Sequence, residues 1–371
     1  MLLVLDNFEH LLAGVDLLSY LLQAALGVKF LVTSRERLNV LEEWGLPLEG
    51  LSFPEDETSA PLESYSAVKL FAQRARQVQV NFSLGDNALP VRRICQQVEG
   101  MPLGLELAAT WLRVMSCQKI VAQMESNLAF LTTSLRNVPE RHRSLRAVFD
   151  QSWKLLSADE QAVLMRLSVF RGGFDLDAAE QVAGASLAML ASLTDKSLIR
   201  VNDSGRYDLH ELLRQYAEQQ LEVAGAAEAA QTAHSDYYLR FVAQHDADIK
   251  GRRQHAGLYE IRTDLENIRA GLFWAIEHEQ YALITTPVLG CLVNFGEMSN
   301  RSVDVAILLK QAEAALRTKF TDQTDPLLDR VAIHCERMNM LTGSEMNGQR
   351  LEAILERERQ RGNKHEIAYC L

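Results

Sequence analysis

The chain is poor in cysteine, and the cysteines it has stand far apart. Cys95, Cys117, Cys291, Cys335 and Cys370 include no CxxC pair, and the shortest spacing is 22 residues. That argues against a zinc site or a disulfide framework and for reduced thiols. Positive charge is not in excess either: Lys and Arg total 38 against 49 Asp and Glu, a net charge of -11. A general nucleic-acid binder carries a basic footprint, so the composition argues against one, though not against a local basic patch. Met1 is followed by Leu-Leu-Val-Leu and then Asp6, without the basic start and longer apolar run of a signal peptide. The apolar run that ends at Lys29 is too short to span a bilayer. These features fit a soluble cytoplasmic protein that does not meet a membrane. No GxxxxGK[ST] occurs, and no HExxH, GxGxxG or Ser/His/Asp arrangement stands out; in the segment opened by His210-Glu211, Arg214 takes the position of the second His. A metabolic enzyme is the least supported class.

What is present suffices for two to four domains, since 371 residues at about 100–200 per domain allow that number. Hydrophobic residues make up 47% and can fill sizeable cores. Leu2-Leu3-Val4-Leu5 is an apolar run ending in Asp6, and Lys29-Phe30-Leu31-Val32-Thr33 is a second, ending in Ser34-Arg35. Residues 11–26 between them have helical spacing and a Gly27 stop. Strand, helix, strand with both strands apolar throughout reads as a parallel βαβ unit covered on both faces. Ligands of such sheets bind beyond the carboxyl ends of the strands, where Asp6 and Thr33-Ser34-Arg35 sit. A structural strand that merely ends in Asp is the plainer reading of Asp6.

Residues 54–64 are rich in Pro, Ser, Thr and acids and read as a linker. Helical patterns follow over 66–78 and 88–98, Gly100-Met101-Pro102 interrupts them, and an almost wholly apolar helix runs over 103–114, with Pro102 compatible with its first turn. Helices continue to about residue 135. Residues 136–146 are basic, with Arg136, Arg141, Arg143 and Arg146 able to bind phosphate or, more simply, to form a solvated helix start. Ser157-Ala158-Asp159-Glu160 has the form of a capping box, and Asp177-Ala178-Ala179-Glu180 reads as another. A helix over 186–197, strands around Asn202-Asp203-Ser204-Gly205 and a helix over 209–223 complete the plan of a winged helix. From about residue 226 the pattern is helical, broken at Lys250-Gly251, Asn300, Asp325-Pro326, Gly343 and Gly362-Asn363. No strict 34-residue period is visible, so the region reads as TPR-like. Its last helix opens near His365 and stops at Leu371, as a repeat cut short would.

Four segments in order carry a resemblance. Leu2-Leu3-Val4-Leu5-Asp6-Asn7-Phe8-Glu9-His10 resembles the Walker B segment of bacterial STAND (NB-ARC-type) signalling ATPases. Phe30-Leu31-Val32-Thr33-Ser34-Arg35 resembles their sensor strand. The Gly-x-Pro motif of their helical domain is similar to Gly100-Met101-Pro102-Leu103-Gly104-Leu105-Glu106-Leu107-Ala108, and their winged-helix motif to the segment from Tyr207 through His210 to Ala217. Each is weak alone; together they cover about residues 1–225. The resemblance implies a mainly α, multidomain chain: a partial parallel α/β nucleotide-binding core over 1–57, a helical domain over 58–135, a winged helix over 136–225 and TPR-like repeats over 226–371.

The resemblance also implies roles. Asp6 would hold Mg²⁺ on the nucleotide phosphates, because a hard cation takes carboxylate oxygen. Asn7 stands where many relatives carry a second acid, which puts water activation in doubt; Glu9 is the substitute, or simply favours a helix dipole. Thr33 lies at the sensor strand's end, and Arg35 would reach the terminal phosphate with its fixed fork of donors, or else pair with Glu36 or Glu42 on the surface. Pro102 would pack on the adenine, or merely start its helix. His210 would touch the ADP β-phosphate and lock a closed state, where a lone His at such a junction is otherwise structural.

The loop that would bind the phosphates is not in the sequence, nor is the family's first strand, which would lie between the strand ending at Thr33 and one near residues 46–53. Without it the sheet has a hole or an open edge. The chain reads as part of a longer ATPase in preference to a degenerate relative. ATP or ADP with Mg²⁺ would serve the parent protein, which would be at most a slow ATPase; for these residues alone, both a retained nucleotide and no cofactor are open, and no hydrolysis is expected. The leading expectation is an ATP/ADP-dependent regulatory switch in signal transduction or transcription regulation, with protein partners on the repeats and scope for self-association. A nucleotide-independent scaffold is the alternative. A DNA-binding regulator comes third: over 136–225, Lys and Arg number 11 against 13 Asp and Glu, and the candidate recognition helix over 186–196 carries one basic residue, Lys196. Direct DNA binding by this chain is therefore argued against.

Overall fold

The structure, a computed structural model, describes residues 1–55, 61–126, 131 and 144–370. The chain is mainly helical and forms two compact units. The first comprises residues 1–168 and 185–221, the second residues 169–184 and 222–371. Among the described residues, no helix is long and apolar enough to cross a membrane.

The first unit opens with strand β1 (Leu2–Leu5), helix α1 (Val15–Ala24) and strand β2 (Lys29–Val32). The strands pair in parallel, Leu2 opposite Lys29 through Leu5 opposite Val32. The parallel βαβ expectation holds, but the expected cover on both faces does not. Leu2, Val4 and Leu31 are exposed, while their alternate neighbours are half-buried. Successive side chains point to opposite faces, and among the described residues one face of this sheet is left exposed while the other is half-covered. The helix between the strands is also shorter than its periodicity suggests, because residues 12–14 form a 3₁₀ turn before it.

The expected strand near residues 46–53 does not form. Its backbone is claimed elsewhere. The Leu51 amide donates to the Gly100 carbonyl (2.9 Å) and the Ser52 carbonyl accepts from Ala67 (3.0 Å). The Gln96 side-chain amide donates to the carbonyls of Pro54 and Glu55. The strap from 50 to 55 is thus tied to a helical group made of α2 (Ser66–Val78), α3 (Ala88–Gln97), α4 (Pro102–Thr110) and α5 (Cys117–Ser126). Its core is apolar: Ala67, Val68, Phe71, Ile94, Leu105 and Ile120 are all fully buried. Two glycines let the strap lie this close. Gly100 has φ +67°, and a Cβ there would meet the Leu51 carbonyl oxygen at 1.9 Å. A Cβ on Gly50 would meet the Glu99 carbonyl oxygen at 2.2 Å.

The remaining elements of this unit are α6 (Leu145–Trp153), α7 (Ala158–Leu167), α9 (Leu187–Asp195), the hairpin of β3 (Arg200–Val201) and β4 (Tyr207–Asp208), and the greater part of α10 (Glu211–Val223). The capping box expected at Ser157 is present: its hydroxyl accepts from the Glu160 amide and the Glu160 carboxylate accepts from the Ser157 amide. The hairpin turn forms as its polar residues suggest, the Asn202 side-chain oxygen accepting from the amides of Ser204 and Arg206. Arg136, Arg141 and Arg143 lie outside the described residues; Arg146 is an exposed residue of α6.

The second unit takes residues 169–184, including the short helix α8 (Leu176–Ala178), together with α11 (Ala227–Ile249), α12 (Gln254–Thr263), α13 (Leu265–Glu277), α14 (Thr286–Met298), α15 (Ser302–Lys319), α16 (Pro326–Thr342), α17 (Gly348–Arg361) and α18 (Lys364–Cys370). The cap of α8 is not Asp177. Asp175 accepts from the Ala178 amide, because the helix begins two residues before the motif suggested. The breaks read from the sequence do end or begin helices, and Gly343 and Gly362 adopt the left-handed conformation that closes α16 and α17. Asn267, fully buried on α13, binds residues 169–184 in place: its oxygen accepts from the Arg171 amide (2.6 Å) and its nitrogen donates to the Gly173 carbonyl (2.8 Å). The same oxygen lies 3.2 Å from Nε2 of buried His234. Towards the end of the chain the helices are joined by buried carboxylates held by arginines: Asp329 by Arg357 and Arg361, Glu366 by Arg330, and Glu313 and Glu336 by Arg350.

Two predictions follow from this packing. Gly100→Ala places a methyl group on the Leu51 backbone and costs more than about 2 kcal/mol in urea unfolding, whereas Gly14→Ala, with nothing within 4 Å, stays within about 0.5 kcal/mol of the native chain. Burial holds His234 down at about 4 against its ordinary 6.5. The unfolded chain therefore takes up a proton between those values that the folded unit refuses. Stability contributed at this site is full above pH 6.5 and falls as the pH drops towards 4. The drop in urea midpoint between pH 7 and pH 5 is expected to be smaller in His234→Gln than in the native chain.

Candidate functional site

The carboxyl ends of the two parallel strands meet at Asp6 and Thr33. The Thr33 hydroxyl donates to the Asp6 carboxylate and accepts from the Asn7 amide (3.1 Å). Backbone bonds close the junction, from Thr33 to the Leu5 carbonyl (2.9 Å) and from Phe8 to the Thr33 carbonyl (3.0 Å). Asn7 sits in the left-handed region, at φ 56° and ψ 46°, which turns the chain sharply out of β1. Asp6 and Thr33 are exposed.

Glu9, two residues beyond that turn, is buried, and the Arg35 guanidinium lies 3.6 Å from its carboxylate. Arg35 also donates to the Val148 carbonyl (3.2 Å) and the Ser152 hydroxyl (2.9 Å) on α6. The surface pairing of Arg35 with Glu36 or Glu42 does not occur, because the buried Glu9 carboxylate and the end of α6 supply better partners. Glu42 instead accepts from Ser19 and Gln23 on α1.

A second group forms around the turn between α3 and α4. Pro102 is the first residue of α4 and is exposed. Immediately before it, Glu99 has φ 45° and Gly100 φ 67°. His210 reaches this turn from the junction of β4 and α10. Its Nδ1 accepts from the Leu212 amide (3.1 Å), so Nε2 carries the proton and donates to the Val98 carbonyl (3.2 Å). Burial lowers the pKa of His210, Arg200 adds to that, and Glu99 opposes it, which keeps the ring neutral near pH 7. Glu99 completes the group: it accepts from the Glu211 amide (2.9 Å) and pairs with Arg200 of β3 (2.6 Å). Burial raises the pKa of Asp208 on β4, with Arg200 resisting the rise and Glu99 adding to it.

The structure thus gathers the candidate residues into two groups, Asp6, Asn7, Thr33, Glu9 and Arg35 in one and Pro102 and His210 in the other. Sequence reasoning did not single out Glu99 or Arg200. Glu99 directly precedes the Gly-Met-Pro motif, but its partners lie about a hundred residues away and no local pattern signals them.

The fit to a nucleotide is partial. An exposed carboxylate at the ends of two parallel strands suits one oxygen ligand to a hydrated Mg²⁺. The glycine-rich backbone cradle for phosphates does not occur in the 371 residues. Among the described residues, no three His, Cys, Asp or Glu side chains cluster so as to hold a metal ion without other ligands.

Residues 156–222 match the family described as winged helix-turn-helix domain. That region is a winged helix. The chain is also 36% identical over 292 residues to a Mycobacterium tuberculosis protein named as an HTH-type transcriptional regulator, a match covering 75% of this chain and 32% of the relative. A Mycobacterium bovis protein of the same designation matches equally. An uncharacterized M. tuberculosis protein is 35% identical over 241 residues, covering 62% of this chain and 59% of its own length. The chain therefore spans about a third of the length of the first of these curated relatives. Among solved structures, a Signal Transduction ATPase with Numerous Domains with a tetratricopeptide repeat sensor, from Pyrococcus horikoshii, aligns over all of this chain and 50% of its own, at 17% identity and a TM-score of 0.30. A likeness that distant carries no argument here.

The pairing of Glu9 with Arg35 is open to test. Arg35→Met leaves a buried carboxylate without its cation and is expected to cost about 2–4 kcal/mol by urea unfolding, and the double variant Glu9→Gln, Arg35→Met recovers part of that loss.

Proposed function

We propose that this chain is the regulatory part of a STAND-type switch protein acting in signal-dependent transcription regulation. The observation that carries the reading is the seat of His210 against the α3–α4 turn. His210, of the segment from Tyr207 to Ala217, contacts the Val98 carbonyl, two residues before the independently read Gly100-Met101-Pro102 motif. In this reading Asp6 and Thr33 mark the metal edge of an ATP or ADP site. Arg35 reports on the terminal phosphate, Pro102 faces the base, and His210 distinguishes closed from open. A ligand shifts such an equilibrium only by contacting the two states differently, and Arg35 and His210, each already bound to a helix or turn, are the groups whose partners a nucleotide would exchange. The names of the mycobacterial relatives support the transcriptional setting. The helices of the second unit would take protein partners.

The winged helix serves here as a packing and regulatory module and does not read bases. Helix α9 exposes Leu187, Ala188 and Ala191. The basic residue just after its end, Lys196, is held by Glu160 at 2.7 Å, and Glu160 is further bound by Ser192. Base readout needs Arg, Lys, Asn or Gln directed to base edges, and this surface offers small and apolar groups. The alternative is a scaffold indifferent to nucleotide, favoured by the lack of a GxxxxGK[ST] in the sequence.

The test is to denature the purified chain and quantify released adenine nucleotide by chromatography. Near-stoichiometric ADP, lost in His210→Ala, is the expected result for the switch. No released nucleotide, together with no binding on addition of Mg-ATP, would favour the scaffold and restrict the switch reading to a longer protein.

A further inference from the structure

Three helices of the second unit bring polar faces together. Arg330, His334 and Arg337 recur at helical spacing on α16, as do Gly290, Asn294 and Glu297 on α14, and Glu366 and Tyr369 on α18. The end of this face at Arg330 is saturated. The Arg330 guanidinium bonds the Glu366 carboxylate (2.9 Å) and the Ile284 carbonyl (3.1 Å), and Glu366 also accepts from the Thr286 hydroxyl. The end at Arg337 is not. Its Nη2 stands 3.3 Å from Oδ1 of Asn294 and 3.4 Å from the Glu297 carboxylate, and its Nε and Nη1 have no partner among the described residues. Well-made charge-assisted pairs draw to about 2.7–2.9 Å, so Arg337 is loosely held. The side-chain nitrogen of Asn294 is likewise without a partner among the described residues. The guanidinium lies over the Tyr369 ring, Cζ 5.9 Å from the centroid, which orients it without using its N–H groups.

A second unsatisfied group lies one turn away. His334 is fully buried, and its Nδ1 donates to the Arg330 carbonyl at 2.9 Å. Nε2 is therefore an acceptor in the neutral ring, and it has no partner among the described residues. Burial lowers the pKa of His334, which keeps the ring neutral, although the Arg330 carbonyl and Glu366 oppose that shift. A bare acceptor in the interior is costly and calls for a donor. Nε2 and the Tyr369 hydroxyl flank one point: a Cβ on Gly290 would meet the hydroxyl at 2.8 Å and lie 3.9 Å from Nε2. A phenol that turns its proton to Nε2 keeps its own lone pairs for a donor from outside.

We propose that this face binds a small organic acid carrying an O–H or N–H donor beside its carboxylate. The carboxylate takes the open donors of Arg337 and Asn294, for which a forked guanidinium is well shaped. The ligand's donor meets the Tyr369 oxygen, whose proton passes to a hydrogen bond with His334. Glu297 is the protein's own carboxylate at this position, nearly half exposed and long-bonded, and the ligand displaces it. The site goes beyond the nucleotide reading, and its test contains no nucleotide.

The experiment is isothermal titration of the full 371-residue chain with L-malate, succinate, N-acetylglycine and an acetylated tripeptide ending in glycine. Malate and succinate differ by the one hydroxyl. The site predicts that malate binds with a Kd below about 1 mM and at least about fivefold more tightly than succinate. Arg337→Gln weakens malate by about tenfold or more, and Tyr369→Phe, which keeps the ring under Arg337, abolishes the preference over succinate. Glu297→Gln, at an exposed position that leaves the fold intact even if Arg337→Gln proves unstable, tightens malate by about threefold or more. Tighter binding of the tripeptide than of N-acetylglycine assigns the carboxylate to a protein terminus, and the reverse assigns it to a free acid. Binding of none of the four to the native chain or to Glu297→Gln overturns the proposal, as does binding that Arg337→Gln and Glu297→Gln leave unchanged or that shows no preference for malate.

Discussion

The first unit depends on the crossing of two backbones. The strap over residues 50–55 runs across the turn at residues 99–100 with its Leu51 amide on the Gly100 carbonyl, and there is no space at Gly50 or Gly100 for a side chain. Because the crossing fixes the turn, Glu99 is presented at a defined angle, and from it follow the seats of Arg200, His210 and the start of α10. The conformational cost at Glu99 is offset by its bonds. Remove the close approach and the carboxylate has no fixed point from which to reach the wing. The Gly-x-Pro motif is therefore as much a packing device as a candidate contact to a base: Gly100 is required by the Leu51 oxygen before any ligand is considered.

The second unit solves a different problem. Residues 169–184 enter it as a segment remote in sequence from the helices it joins, and such a segment brings backbone groups that must find partners. Asn267 supplies them with one amide group, accepting from Arg171 and donating to Gly173. Aromatic packing closes around it, with Phe170 stacked on Phe174 at 4.5 Å and edge-on to His234 at 5.4 Å. Towards α17 and α18 apolar cover gives way to charge. Ile333 and Ile354 form a small core there, and buried carboxylates with arginine partners carry much of the remaining interface. Such pairs gain little over well-packed apolar groups but are costly to break one partner at a time, so they fix which helix faces which more than they add stability.

Much of this was legible from local pattern. The Ser157–Glu160 box, the Asn202–Gly205 turn and the glycine stops at Gly343 and Gly362 each depend on residues within a few positions of one another, and each formed as read. Apolar continuity in β1 and β2 gave the parallel pairing correctly but said nothing of what covers it, since burial belongs to neighbours and not to the strand. The strand expected near residues 46–53 was lost to a distant competitor, the Gly100 carbonyl. The site was legible only in part. Asp6 and Thr33 could be placed together because strand ends are predictable. The engagement of Arg35 by α6 and of His210 by Val98 spans more than a hundred residues and leaves no periodic trace.

The two candidate groups share a property that bears on any switching role. In each, a residue suited to a phosphate is already satisfied by the protein: Arg35 by Glu9 and the end of α6, His210 by the Val98 carbonyl and the Leu212 amide. A polar group that is buried must be paired, so a ligand recruits either residue only by replacing partners it already has, and the energy of that exchange is the difference between two bonded arrangements. The difference is smaller than the energy of either bond. At the start of α10 the Glu99 carboxylate accepts from the Glu211 amide, so the positive end of that helix, too, already has an anion of the protein's own.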